Sequence, residues 1–590
     1  MSNNQPPQGP YGQQPPQGPY GQQPPQGPYG QQPPQGPPPG YGQQPPPGYG
    51  QQPPQGPPPG YGQQPPPGGW GNQPPQPPYG QGPWTTATGG PPEPKKRRKG
   101  LILGSVGAAV VLLLAGSGVF AYQQLSGGGP QPAEALPDSA IAYARVDLDP
   151  SASQKINMVR LLRKIPEFSD ATGIDSNKED LRKTLFEKAL EGEDCSADYD
   201  DDVKPWIGDR AAIAAVPKGD KPVPVVVLQT TDTDAAEKGM EKLKNCGSSS
   251  DKDTGIAFVD DYAVLAETQS IADDAAKDAK QAPLSDDDDF SETMDKVGDQ
   301  GVMSFWADGE ETAKLAKDLG GPEAGTLSDI GGEKVQSIGG AIRAGSDYIE
   351  MPFVAKVDDA KKPKATSKVG DLPASTVAAM SVAGGGEAVD KAWSAMTDSF
   401  GPYSSFQDGL DEMESTLGIS LPADLKTLFG DDITLAVDEE GLDSVTALVG
   451  PDDLAKLNIG IRSVSDTDDL KALVTKINTA LSGQGIPELA TKETDDGLVA
   501  ATNDDYADKL AGSGDLGNES AFKKVVPDVG GSTSVVYLNV DKVQAIAEDL
   551  ARKSGDSAEG IEAVEPIEAF GMSSGFDGDY STATVRVSFD

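Results

Sequence analysis

The chain is 590 residues long, carries 91 acidic against 48 basic residues, and contains no histidine. So acidic a chain is repelled by nucleic acid, and the missing imidazole removes the commonest general base, the commonest zinc ligand and every Ser-His or Cys-His nucleophile together. No cofactor and no enzymatic activity are expected on these grounds.

Residues 1–94 repeat QGPYGQQPP, placing Tyr11, Tyr20 and Tyr29 at equal intervals. Proline removes backbone donors, glycine raises the entropy cost of ordering, and isolated aromatics cannot build a core, so this tail is predicted to be disordered with polyproline II character. Its regular prolines and tyrosines make it either a spacer or a weak multivalent docking segment.

A basic cluster follows: Lys95, Lys96, Arg97, Arg98 and Lys99. It abuts the uncharged run Leu101–Tyr122, which as a helix spans roughly 33 Å, the thickness of a bilayer's hydrocarbon core. With no Lys or Arg beyond the run until Arg145, the positive-inside rule puts the N-terminus in the cytoplasm, the cluster on anionic lipid, and the rest of the chain outside the cell. A cleaved signal peptide is disfavoured by the long preceding tail. Gly104 and Ala108 form a small-xxx-small pair, the minimal surface for a weak helix homodimer. Residues 95–125 thus form the basic cluster and transmembrane helix of a single-pass plasma-membrane protein.

Only two cysteines occur, Cys195 and Cys246, both in the exported part. A disulfide between them, closing a loop of about 50 residues, would be worth roughly 4 kcal/mol in the chain-entropy model.

The exported part repeats itself in order. LPDSAIAYARVDL (136–148) answers to LPASTVAAMSVAG (372–384), and VKPWIGDRAAIAAV (203–216) to LKTLFGDDITLAV (425–437). VVVLQTTDTDAAEKGMEKL (225–243) parallels IGIRSVSDTDDLKALVTKI (459–477), with Asp232 and Asp466 as helix N-caps. VDDYAVLA (259–266) and NDDYADKL (503–510) share Asp-Asp-Tyr, and residues 338–358 align without a gap to 570–590 as hairpins. The expected fold class is α+β: a duplicated ectodomain of two similar units mixing helices with antiparallel sheet. Repeat 1 spans 130–358, a Lys-rich linker 359–371, and repeat 2 372–590, each long enough to fold alone.

This arrangement of Pro/Gly/Gln tail, basic cluster, spanning helix and exported domain opening near LPDSAIAYARVDLDP resembles an uncharacterised family of actinobacterial membrane proteins, domain of unknown function 3352. The resemblance covers about 130–590 and implies membrane anchorage. It supplies no site residues.

Chemical motifs are sparse. The G-x-S-x-G match at Gly571–Gly575 has no histidine partner and falls in a predicted hairpin rather than a nucleophile elbow. S-x-x-K occurs at Ser249–Lys252 and Ser520–Lys523 without a second motif. The acidic runs at Asp198–Asp202 and Asp286–Asp289 do not fit a calcium loop and read as solvated acids or helix N-termini. Trp206, Trp306 and Trp393 read as core. No catalytic, cofactor-binding or metal residue is singled out. The expected function is a cell-envelope binding or interaction ectodomain with protein partners; a histidine-free cell-wall hydrolase and a carrier of an apolar ligand are the alternatives.

Overall fold

The computed structural model describes residues 131–147, 152–164, 180–189, 196–219, 221–244, 246, 254–318, 329–330, 333–358, 362–400, 404–442, 451–554 and 565–590, which belong to one compact unit. The tail, Lys95–Lys99, Leu101–Tyr122 and Cys195 lie outside the described residues. Among those described, no helix is long and apolar enough to cross a membrane.

The first half contains strands β1 (Ala142–Asp147), β2 (Ile207–Lys218), β3 (Lys221–Thr230), β4 (Gly255–Val259), β5 (Tyr262–Ala266), β6 (Met303–Asp308), β7 (Asp329–Ile330), β8 (Glu333–Ala344) and β9 (Tyr348–Val357). Its helices are α1 (Ala152–Leu162), α2 (Leu181–Ala189), α3 (Tyr199–Asp202), α4 (Thr233–Leu243), α5 (Gln269–Ala279), α6 (Asp288–Val297) and α7 (Gly309–Asp318). The second half contains β10 (Thr376–Ala383), β11 (Asp432–Asp438), β12 (Ile459–Val464), β13 (Ala490–Thr494), β14 (Gly497–Ala501), β15 (Ser534–Asn539), β16 (Ile567–Asp577) and β17 (Tyr580–Phe589). Its helices are α8 (Gly385–Phe400), α9 (Ser404–Leu417), α10 (Ala423–Phe429), α11 (Pro451–Leu454), α12 (Thr467–Gly483), α13 (Asp504–Ala511), α14 (Ser520–Val525) and α15 (Val540–Ser554). The fold is α+β, with helices around one large antiparallel sheet.

The strands pair in the order β4-β5-β3-β2-β1-β6-β8-β9 in the first half and β13-β14-β12-β11-β10-β15-β16-β17 in the second. The scheme is the same in both. Four of the five sequence correspondences fall on elements with the same place in it. The N-caps hold as expected: Asp232 accepts from Ala235 N–H, and Asp466 from the N–H groups of Asp468 and Asp469.

The Asp-Asp-Tyr correspondence fails. Asp260, at φ +46°, and Asp261 make the tight turn between β4 and β5, and Tyr262 opens the strand, whereas Asn503 caps α13 by accepting from Tyr506 N–H at 2.9 Å. The shared tripeptide takes two conformations because only the second copy is preceded by a capping side chain. The structural counterpart of the first turn is Asp495-Asp496, between β13 and β14.

The two halves are joined by more than the linker. β9 and β17 pair along nine residues of each, from Tyr348↔Ser588 to Lys356↔Tyr580, so a single sheet runs through both halves. Tyr580 lies in the same buried cluster as Tyr143, Trp306 and Val354, and Leu161 is buried with Ile349 and Phe589. The linker is shorter than the Lys-rich composition suggests. Ser367 N–H donates to Ser532 O at 2.8 Å and Val369 is fully buried, so the second half's core begins at about Ser367.

One sheet face is closed in both halves. Helices α5 and α6 cover Tyr143, Ala212 and Trp306, with Phe290 set edge-on to both Tyr143 and Trp306 at 5.3 and 5.5 Å between ring centres. Helices α13 and α14 cover Ala379, Ala436 and Val535 in the same way, with Phe522 edge-on to Tyr537.

Candidate binding face

Side chains alternate across a strand, so the opposite face carries the other parity. In the first half its central row is Ile342, Met303, Val146, Ala211 and Leu228, each directly opposite the next. This row is covered by Met158 of α1, Tyr199 of α3, Trp206, and Ala236 and Met240 of α4. Trp206 is anchored there by donating its Nε1–H to Asp202 O at 2.6 Å.

The row continues into the second half as Met351, Val585, Met572, Val536, Met380 and Leu435, again with each residue directly opposite the next. There the described helices leave it partly open, although α15 meets β16 and β10. Met380 is 47% exposed, Leu435 39% and Met572 38%, and the remaining three are only partly buried. Helix α8, which follows β10 as α1 follows β1, leans on α10 and meets the sheet at β11, while α9 and α10 pack on α12. The two halves therefore share a scheme but differ in how this face is finished. Scattered exposed apolar side chains need no explanation, but an apolar row crossing several adjacent strands marks an interaction surface or a ligand lane.

Helix α1 stands at the boundary between the covered and open parts. Leu161 is buried against Ala344 and Ile349 of the first half and Phe589 of the second, with Ile567 and Val587 packed around them. Helix α1 also lines a shallow basin of about 440 Å³ through Ile156, Val159, Arg160, Arg163 and Lys164. Arg160 and Arg163 are exposed, and none of the three cations forms an ion pair with another described residue. Elsewhere on this acidic surface lysines are drawn to carboxylates, as Lys356 is to Asp289 and Glu292 at 2.8 and 2.9 Å. The macrodipole favours cations at a helix C-terminus, but it does not by itself bring three of them beside the apolar Ile156 and Val159.

On the closed face an ionic junction crosses between the halves. Glu350 of β9 accepts from Arg343 Nη1 of β8 at 3.1 Å and from Arg586 Nε of β17 at 2.7 Å, and all three side chains are largely buried. Arg343 also donates to Asp299 O at 2.7 Å and to Val297 O, and Arg586 donates to Lys524 O at 3.2 Å while lying 4.4 Å over the Tyr348 ring. Near it, burial and the neighbouring charges of Asp590 and Glu568 push Asp541 up to about 6, against the opposing pull of Lys524. A carboxyl raised in the folded state contributes stability that is present below its unfolded value and is lost as pH rises through 6. Asp541→Asn should accordingly raise the midpoint of thermal unfolding at pH 7.5 and leave it nearly unchanged at pH 4.5; equal shifts at both values would contradict the assignment.

The residues singled out in the sequence lie elsewhere. Cys246 is buried, and among the described residues there is no free cysteine; Cys195 lies outside them. Gly571–Gly575 sits within β16, where a Cβ at Gly571 would meet Val525 O at 2.5 Å, a packing reason for that glycine. Ser520 begins α14, whereas Lys523 donates to Asn518 Oδ1, and Ser249–Lys252 lies outside the described residues. Asp198 and Asp287 N-cap α3 and α6. Trp206 and Trp306 are core, and Trp393 is half-buried on α8. Among the described residues no group of acidic or cysteine side chains is arranged to hold a metal ion.

Sequence reasoning missed the open face and the α1 basin. The run RLLRK at 160–164, three cations in so acidic a chain, was the available signal for the basin. No curated protein and no solved structure matches the chain. Residues 100–486 match the family described as "Protein of unknown function (DUF3352)", and the chain belongs to that family.

Proposed function

We propose that this is a single-pass, membrane-anchored cell-envelope protein with a cytoplasmic N-terminus, whose extracellular part is a duplicated α+β unit working as a binding module. The open apolar row through Met380 and Met572 carries the binding part of this reading, because its counterpart in the first half is buried while these side chains stay exposed. The address rests on the sequence: the uncharged run Leu101–Tyr122 and the basic cluster Lys95–Lys99, which would face anionic lipid. A Cys195–Cys246 disulfide would staple the first half only, a reading consistent with the absence of a free thiol at Cys246. Of the alternatives, the carrier of an apolar ligand gains most from the open row; no described constellation favours a hydrolase.

Protease added to intact, wall-stripped cells should remove a tag at residue 590 and spare one at residue 2. The reverse pattern would overturn the topology. For the binding module, the full chain with Met380→Glu and Met572→Glu together should keep its unfolding midpoint, since both side chains are exposed, yet lose binding of a fluorescent apolar dye. Undiminished dye binding would place the apolar surface somewhere else.

A further inference from the structure

We infer that the basin along helix α1 binds a phosphate monoester, with the phosphate held by Arg160, Arg163 and Lys164 and the organic part against Ile156 and Val159. The site is separate from the open apolar row and goes beyond the binding role proposed for it.

Helical spacing assembles the basin. Met158 and Leu161, three positions apart, dock α1 on the sheet and on the junction between the halves. Residues 156, 159, 160, 163 and 164 recur at intervals of three and four and form the stripe turned away from that docked side. The turn continues past Leu162, where Arg163 N–H donates to Val159 O at 3.0 Å and Lys164 N–H to Leu161 O at 3.1 Å. Three cations are therefore carried on one ordered turn of a helix whose other side is fixed.

Nothing in the fold requires them there. Like charges three and four positions apart on a helix repel, and Arg160 stands in that relation to both Arg163 and Lys164. Helix α8, which takes the place of α1 in the second half, has no basic residue in its last turn. The three form no ion pair with another described residue. By contrast Lys218, Lys242 and Lys334 each reach a carboxylate, at 2.6, 2.6 and 2.7 Å.

The donor set selects the ligand. Two guanidinium forks match oxyanion oxygens in pairs and the ammonium adds a point charge, so a dianion fits where a carboxylate would leave two cations unanswered. A bare dianion would leave Ile156, 40% exposed, untouched. The basin of about 440 Å³ has the size of sites that take small organic ligands. The remaining acidic surface does not forbid an anion, because charges beyond about 8 Å are screened at physiological salt. The ester is supplied either in solution or as the headgroup of a phosphomonoester lipid.

The test is calorimetric titration of the full-length chain in phosphatidylcholine nanodiscs at pH 7.5, where a phosphate monoester with its second pKa of about 6 is a dianion. Hexyl phosphate should bind saturably, at least about tenfold more tightly than inorganic phosphate or hexanoate. Arg160→Glu with Arg163→Glu should weaken it by about tenfold or more, and Arg160→Gln with Arg163→Gln provides the same readout should charge reversal disturb folding. Ile156→Ser should weaken hexyl phosphate and leave inorganic phosphate unchanged. Met380→Glu with Met572→Glu should leave hexyl phosphate binding intact. Nanodiscs containing phosphatidic acid assign the source: competition with hexyl phosphate keeps the site and makes the ligand a lipid, and its absence keeps the site and makes the ligand soluble.

No saturable binding of hexyl phosphate to the parent chain, or binding indifferent to loss of the two arginines, would overturn the inference. Inorganic phosphate binding as tightly as hexyl phosphate would overturn the ester. Loss of hexyl phosphate binding in the Met380→Glu, Met572→Glu chain would move the ligand to the open row and overturn the basin, leaving the proposed binding role standing.

Discussion

Glu350→Ala should destabilise the full chain by about 3–5 kcal/mol, the cost of removing one partner from a buried ion pair and leaving its counter-charges unanswered. The substitution leaves the guanidinium groups of Arg343 and Arg586 facing one another across the site where the carboxylate sat. Each keeps hydrogen bonds to backbone carbonyls, Arg343 to Asp299 and Val297 and Arg586 to Lys524, so neither can swing out to water without breaking them. Replacing all three residues by apolar side chains of similar volume should cost far less, because the buried charge disappears along with its desolvation penalty. Guanidinium chloride unfolding of the full chain, the single variant and the triple variant gives the comparison. A single variant within about 1 kcal/mol of the parent would show that water already solvates this junction.

The second large effect concerns the connection between the halves. A protease cut within 359–366 should leave the two fragments associated, eluting as one species in native buffer and separating only in denaturant. The β9-β17 ladder, the Glu350–Arg586 pair and the Leu161–Phe589 contact all cross the junction, and none depends on the severed peptide. Edge pairing along nine residues on a sheet buried on one side is a substantial interface, and separating it would expose an unpaired strand in each fragment. Fragments that part under native conditions would show that the linker, rather than the ladder, holds the halves together.

The strand-and-helix grammar of the chain was readable in its sequence, and the joint between the halves was not. Local signals carried the first: Asp232 and Asp466 before apolar helices, the Gly-Asp turn before the alternating ITLAV, and the polar turn of each final hairpin are short-range features with one low-energy answer. Asp-Asp-Tyr misled because three residues do not fix a conformation when an Asn beside one copy supplies a cap. The β9-β17 pairing joins residues more than two hundred positions apart, and no periodicity within either strand announces a partner at that distance. The open face was hidden for a different reason. TVAAMSVA in β10 is apolar at both parities, a pattern that reads as burial on both faces, whereas only the side bearing Ala379 is covered and Met380 points to the uncovered one. The cations at 160–164 were visible as letters, but that they line one basin depends on the helix that forms there.

At the centre of the β9-β17 ladder Pro352 faces Thr584, and these are each other's counterparts when 338–358 is aligned with 570–590; Tyr348 facing Ser588 and Tyr580 facing Lys356 are likewise one pair with the roles exchanged. The junction has the geometry of two identical subunits meeting about a twofold axis, written into a single chain. Two identical subunits must finish every surface alike, so a row exposed on one is exposed on the other, and both stand open to solvent and to aggregation. Encoding the halves separately lifts that restriction. Trp206, Tyr199 and Met240 seal the row in one half while Met380 and Met572 leave it accessible in the other, so a single polypeptide gains a closed half and an open half that no symmetric pair of this unit could have together.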